Sequence, residues 1–530
     1  MRSLPDRLTQ SSDFLLGVEL VSTRGTTVEP RAAKTVAFAR ELADYVRLDW
    51  VSITDNAGGN PMLSPLALAR PLRDAGRETV IHLSCKDFNR NGLESEAWHL
   101  ADQGLRNILA LSGDYPGAGI SGGAKPVFDT DAIGLLTLLG RLNAGLDVSR
   151  PGAAKPARLA PQQFFPGAVV TNFKRHENEV IPQLLKAERK IAAGARWFIN
   201  QIGYDARKAH ELIAWFRRRG HGAVPLIGNV YVLTPGVARV FRAQRIPGVS
   251  LSDELANLCE RHAASPDHGK AFFLELAAKQ IAIHRGLGFR GAYLGGVHTL
   301  ADVDRVLEIE RGFAPDDWRQ FAREIRFSCP GEFFCFAEDP ATGLANPDEL
   351  HPAYAASLQA RPATANVTFT YRFAKFTHGL MFTPGQGLWN HGAKLCGGAK
   401  DPRQGPPGMH ALEHLGKSLM FGCKDCGDCS LPDIAFLCPE SSCAKNQRNG
   451  PCGGTRDGKC EVEDFECIWA RAYDRLKHEG REEGLLAHTP VIQDQSLRGT
   501  SSWANTWLGR DHLAPKHFSP TDAAKPNSSS

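Results

Sequence analysis

Eight of the chain's 13 cysteines fall between residues 423 and 467: Cys423, Cys426, Cys429, Cys438, Cys443, Cys452, Cys460 and Cys467. Thiolates at this density ligate metal, because four sulfurs complete a tetrahedral zinc site and four also hold an iron–sulfur cluster. Eight suffice for two such sites. Cys423-x2-Cys426-x2-Cys429, followed by Cys438-Pro439, is closer to the ferredoxin run than to the separated C-x2-C pairs of structural zinc. Iron–sulfur is therefore expected ahead of zinc. Cys85, Cys259, Cys329, Cys335 and Cys396 are scattered and read as buried thiols. His410 and His414, four apart before the first cysteine, read as helix-surface residues, with metal ligation the lesser alternative.

A second set of chemically useful residues ends apolar runs in the first 310 positions. Glu19 lies in FLLGVEL (14–20), and Thr54-Asp55-Asn56 closes WVSIT (50–54). His82 lies in TVIHLSC (79–85), and NILALSG (107–113) ends in Gly113 followed by Asp114. Thr171-Asn172 ends GAVVTN, Asn200 and Gln201 lie in WFINQIGY, and Asn229 lies in AVPLIGNVYV. With FRGAYLGGV (289–297) there are eight such runs. Amphipathic helical stretches such as PRAAKTVAFARELADYV separate them. Buried parallel strands alternating with covering helices give an α/β fold. Eight units in this length predict a (β/α)8 TIM barrel rather than an open doubly wound sheet. In a barrel the C-terminal strand ends form one mouth, so Glu19 and Asp114 are expected to share a pocket.

The predicted organisation is a barrel over 1–310, a C-terminal cysteine domain over 311–490, and a partly disordered tail over 491–530. Residues 148–166 read as a long Pro/Ala-rich loop. Gly117, Gly119 and Gly122 match GxGxxG, but Gly123, Lys125 and Pro126 intervene before any helix, which argues against a dinucleotide fold. The net charge of +4 gives no basic footprint for nucleic acid. No apolar run has membrane-spanning length, and the N-terminus lacks a signal-like core. A cytoplasmic protein without membrane or nucleic-acid partners is expected.

Several of these segments, in order and spacing, resemble the methylenetetrahydrofolate reductase family over about residues 12–310. They are Gly17-Val-Glu19-Leu, Ser52-Ile-Thr54-Asp55-Asn56, His82-Leu-Ser-Cys85, Asn107-Ile-Leu-Ala-Leu-Ser-Gly113-Asp114 and Glu188-Arg-Lys190…Gly194-Ala195…Gln201. The chain departs from the family at Val21-Ser22-Thr23, where paired prolines are usual, and at Ser112, where an arginine is common. The cysteine run also resembles a module of this pathway, found as a C-terminal domain or partner subunit. The matching residues are Phe421-Gly-Cys-Lys-Asp-Cys-Gly-Asp-Cys, Lys445-Asn-Gln-Arg-Asn449-Gly-Pro-Cys452-Gly-Gly and Gly458-Lys-Cys460.

The resemblance implies a flavoprotein of one-carbon metabolism that binds FAD and reduces 5,10-methylenetetrahydrofolate to 5-methyltetrahydrofolate. NAD(P)H or a protein carrier is the implied electron donor. Glu19 is implied as general acid and Asp114 as the residue stabilising the cationic iminium, both touching substrate. Gln201 is implied at the pterin edge. Thr54, His82, Asp114, Phe128 and Lys190 are implied around the flavin. A homo-oligomer and a methyltransferase or electron-donor partner are further expectations. The competing readings are a folate-dependent methyltransferase on the same barrel and a non-enzymatic electron-transfer or assembly adaptor.

Overall fold

The computed structural model describes residues 3–119, 122–148, 156–246 and 248–514. The segment 519–530, read as a disordered tail, lies outside the described residues. Eight parallel strands close into a barrel in sequence order. They are β1 Leu15–Leu20, β2 Trp50–Ile53, β3 Glu78–Ser84, β4 Asn107–Leu111, β5 Phe165–Val170, β6 Trp197–Asn200, β7 Leu226–Tyr231 and β8 Gly291–Gly295. The sequence reading of a closed barrel is borne out.

Two glycines in the strands show how the interior is filled. A Cβ on Gly17 or Gly167 would sit 2.1 or 2.2 Å from the indole of Trp50 or Trp197. The missing side chains let both indoles turn inward, where Trp50 stacks on Tyr293 at 5.4 Å between ring centroids. Leu15, Val80, Leu109, Phe165, Ile199 and Ile227 complete this inner core, and Leu4 and Leu8 of the short helix Leu4–Gln10 join it. The larger apolar core lies between strands and surrounding helices. Each fully buried Val, Leu or Phe there contributes about 1.5–3 kcal/mol.

The glycine motif at 117–122 forms no helix N-terminus. Ala118–Gly119 and Gly122–Gly123 pair as an antiparallel hairpin, and the next helix begins at Ala132. Asp131 caps that helix, its Oδ1 accepting from the Ile133 and Gly134 amides. Its Oδ2 accepts from the Asn449 amide at 3.0 Å, tying the barrel to the cysteine-rich region.

That region lies against the barrel rather than beyond it. Helix Ile468–His478 packs on the barrel helix Glu177–Ala192. The Lys186 ammonium donates to the Gly450 and Pro451 carbonyls at 3.0 Å and to Gln447 at 3.3 Å. The Lys174 ammonium donates to the Thr455 carbonyl. Both lysines are buried, and burial pushes both ammonium groups below the ordinary lysine range.

Residues 311–421 add a two-stranded antiparallel pair, Phe336–Glu338 with Ala345–Leu350, and several helices. Three of these helices turn apolar stripes outward. Phe369, Phe373, Phe376 and Leu380 lie on helix Phe369–Met381 at helical spacing. Leu388 and Leu395 lie on Gly387–Gly397, and Leu412, Leu415 and Leu419 on Met409–Phe421. Phe369 is 82% exposed and Leu419 80%. Among the described residues no helix is long and apolar enough to cross a membrane.

Candidate active site

The strand ends form one pocket of about 280 Å³ at the barrel mouth, just below the ~300–1,000 Å³ typical of ligand sites. Its floor is apolar, from Leu109, Leu111, Val169 and Ile199, with the Tyr293 ring beside them. Its wall carries Glu19, Thr54, Asp55, His82, Asp114, Thr171, Lys190, Asn200, Gln201 and Asn229.

Strand register explains the grouping. Glu19 on β1 pairs with Ser52 on β2, and Asn229 on β7 with Tyr293 on β8. Glu19 Oε1 accepts from the Tyr293 hydroxyl at 3.1 Å, and burial pushes the Glu19 carboxyl above the usual carboxylate range. His82 Nε2 lies 2.8 Å from Ser52 Oγ. Burial lowers the His82 imidazole to about 4, so it is neutral at physiological pH. Lys190 donates to the Val169 carbonyl at 2.6 Å, and burial together with Lys186 lowers its ammonium to about 7. Asp114 Oδ2 accepts from the Gly58 amide at 2.9 Å, and Asp55 holds the Ser84 amide and hydroxyl at 3.1 and 2.9 Å.

The structure thus brings together Glu19, Thr54, His82, Asp114, Lys190 and Gln201. Phe128, expected to stack on the cofactor, does not reach the pocket wall. Its buried ring stacks on Tyr115, 6.4 Å between centroids, and lies 6.0 Å below the Lys445 ammonium. The loop before Phe128 sets this position, and the residue itself sits at a left-handed φ of 39°.

Sequence reasoning missed the other wall. Lys445, Cys452, Gly453, Gly454 and Glu461 come from the cysteine-rich segment and line the same pocket. Lys445 donates to the Gly113 carbonyl at 2.9 Å and is ion-paired with Glu461. Gln447 accepts from the Ser112 hydroxyl at 3.0 Å. The signal for Lys445, Cys452, Gly453 and Gly454 lies in the Lys445–Gly454 run, whose pattern marks the cysteine module; Glu461 lies outside it.

The eight cysteines form two neighbourhoods in chain order. Burial and the nearby Cys429 and Cys438 push the Cys423 thiol up to about 11, and burial with Cys429 pushes Cys426 up to about 12. Burial with Cys452 and Cys460 pushes Cys443 up to about 12, and burial with Cys452 and Cys443 raises Cys467. None of the 13 cysteines forms a disulfide. Among the described residues no three His, Cys, Asp or Glu side chains converge closely enough to hold a metal ion. No chemical step is assigned to a metal. His410 sits on helix Met409–Phe421 with its Nε2 2.9 Å from Asp425.

The pocket does fit a planar heterocycle. Three buried polar atoms on its wall, Thr171 Oγ1, Gln183 Nε2 and Glu461 Oε2, have no hydrogen-bond partner in the protein. Buried polar atoms are ordinarily paired, so such a set marks where a ligand or ordered water makes bonds. An apolar floor with a polar rim suits a flavin or pterin ring.

A (β/α)8 barrel with an acid-bearing mouth, walled on one side by a cysteine-rich segment, defines the class. The family model described as "Methylenetetrahydrofolate reductase" matches residues 7–290, and "Methylene-tetrahydrofolate reductase C terminal" matches 407–495. The chain belongs to the methylenetetrahydrofolate reductase family. It is 29% identical over 158 residues to 5,10-methylenetetrahydrofolate reductase of Salmonella typhimurium. That match covers 29% of this chain and 45% of the relative, so the chain spans under half of the curated relative's length. Among solved structures, a Clostridium thermocellum protein that binds two copies of 5-methyl-5,6,7,8-tetrahydrofolic acid is 10% identical. It covers 58% of this chain and 96% of its own, with a TM-score of 0.40. The coenzyme F420-dependent tetrahydromethanopterin reductase of Methanopyrus kandleri is 10% identical, covering 56% and 98%, with a TM-score of 0.33. Scores this low carry no argument about function.

Proposed function

We propose that the chain catalyses flavin-dependent reduction of 5,10-methylenetetrahydrofolate to 5-methyltetrahydrofolate. The observation that carries this reading is the convergence of Glu19, Thr54, His82, Asp114, Lys190 and Gln201 on one pocket, in a chain whose residues 7–290 match the family. FAD, held by Thr54, His82, Lys190 and Asp114, supplies hydride transfer when bound. Opening the bridged ring of the substrate needs a proton on the leaving nitrogen. Glu19, whose buried carboxyl retains its proton to higher pH than an exposed glutamate, is placed to give it. The Asp114 carboxylate offsets the positive charge of the resulting iminium. Neutral His82 adds no competing charge, and Gln201 offers a donor and an acceptor to the ring edge.

The test is the visible spectrum of anaerobically purified protein before and after NADH. Flavin bands that bleach support a self-sufficient reductase. Bands that NADH leaves intact point to a protein electron donor. No flavin and no FAD uptake would sink the reading and favour a folate methyltransferase. We assign the cysteine quartets Cys423/Cys426/Cys429/Cys438 and Cys443/Cys452/Cys460/Cys467 to iron–sulfur or zinc, on their number and spacing, with elemental analysis as the check.

We also infer that a second copy of the chain covers the three outward stripes. Large apolar side chains exposed at helical spacing on three helices are the kind of surface that a self-complementary two-fold contact buries. Light scattering that finds a monomer, unchanged in Phe376→Glu, would refute it.

A further inference from the structure

The cysteine-rich segment does more than cover the barrel mouth. It lays the Gly453–Gly454 dipeptide among three side chains with unused hydrogen-bonding capacity. A Cβ on Gly453 would sit 3.5 Å from Thr171 and 3.6 Å from Gln183 Nε2. A Cβ on Gly454 would sit 1.9 Å from the Glu461 carboxyl carbon. At Gly454 only glycine lets the backbone pass so close, while Gly453 leaves room for a Cβ but adopts a left-handed φ of 94° that favours glycine.

Glu461 is anchored by one oxygen. Its Oε1 takes the Lys445 ion pair, and Cys452 Sγ lies 3.6 Å from it. The side chain is 5% exposed, yet Oε2 has no partner. A buried carboxylate oxygen left unmade is costly, and the penalty is recovered when a donor arrives. Thr171 Oγ1 and Gln183 Nε2 stand beside it in the same condition.

We propose that Glu461 is a substrate-binding residue of the barrel site. With Gln183 and Thr171 it completes, beside Gln201, a subsite for the edge of a 2-amino-4-oxopyrimidine ring. The donors and acceptors are complementary: Glu461 Oε2 accepts from the ring's amino or ring N–H group. Gln183 Nε2 donates to the ring carbonyl, and the Thr171 hydroxyl serves in either sense. Lys445, bound to both Glu461 and the Gly113 carbonyl, is the positioning residue that fixes this carboxylate beside Asp114. The assignment rests on the folate reading above. It adds that the cysteine-rich half contributes to substrate recognition.

The experiment compares the holoenzyme with Glu461→Gln and the isosteric Thr171→Val. It measures calorimetric binding of 5-methyltetrahydrofolate, steady-state KM and kcat, and flavin content. Both variants are expected to bind the folate about tenfold more weakly and to raise KM. Their kcat and flavin content should stay near wild type. Binding within twofold of wild type in both variants overturns the proposal, as does loss of flavin together with folate, which marks a structural role. If wild-type protein carries flavin but does not bind the folate, the functional reading itself fails and the subsite falls with it. A wild-type protein that binds while Glu461→Gln and Thr171→Val are silent refutes the subsite alone.

Discussion

On the barrel wall of the pocket, Glu19 and Asn200 stand within strands whose neighbours on both sides fix their height. On the facing wall, Lys445, Cys452 and Glu461 stand in turns. Those turns run through left-handed residues at Asn446, Gly450, Gly453 and Gly458. The first wall is held by a hydrogen-bonded sheet, and the second by side-chain contacts such as Lys186 to Gly450 and Lys445 to Gly113. One wall is therefore rigid before any ligand arrives. The other depends on contacts between distant parts of the chain.

The comparison breaks or sharpens under substitution. The largest effect is expected on the barrel wall. Glu19→Gln should lower kcat by about 10²–10⁴-fold, the span of general acid catalysis, without loss of flavin. Because burial raises the Glu19 carboxyl, the acid form is depleted only as pH climbs through that raised value. Wild-type kcat should accordingly fall with rising pH, and the fall should be absent in Glu19→Gln. Equal pH profiles would remove Glu19 from the proton transfer.

Next comes the joint between the walls. Lys186→Met leaves the Gly450 and Pro451 carbonyls without their donor and should cost about 1–3 kcal/mol in denaturant unfolding. An unchanged midpoint would mean that the facing wall is held by something else. A smaller, sharper contrast lies between the cysteines. Cys452 lines the pocket and Cys423 does not. Cys452→Ser should raise the folate KM several-fold, while Cys423→Ser should leave it within twofold. Equal effects would show that the two quartets act on the site as one body. The smallest effect is expected at His410→Ala, which removes a partly exposed pair with Asp425 worth at most about 1 kcal/mol. A large loss there would return His410 to the metal-ligand reading.

The same contrast explains what the sequence disclosed. Strand residues announce themselves, because a carboxylate or imidazole inside an apolar run is costly unless it faces a cavity. Glu19 and His82 were legible for that reason, and Asp114 because it directly follows such a run; closure of the barrel then grouped them. Phe128 was not, because its direction is set by a loop and not by a period. Glu461 was hidden more deeply. It directly follows Cys460, and nothing in the sequence alone sets it apart. Its role depends on folding back over a mouth whose strands ended near residue 295. Gln183 was masked by its helix, where a polar residue ordinarily faces water.

Lys174 and Lys186 bear on how such a chain can be inherited. Their acceptors lie 281 and 264 residues further along the polypeptide, at Thr455 and Gly450. Both ammonium groups are buried by that later segment, so the barrel cannot be passed on alone with these two lysines intact without losing their partners. A gene cut between the halves would separate both lysines from their acceptors, so its two products are expected to depend on each other rather than stand alone. A barrel that works alone is expected to carry other side chains at positions 174 and 186.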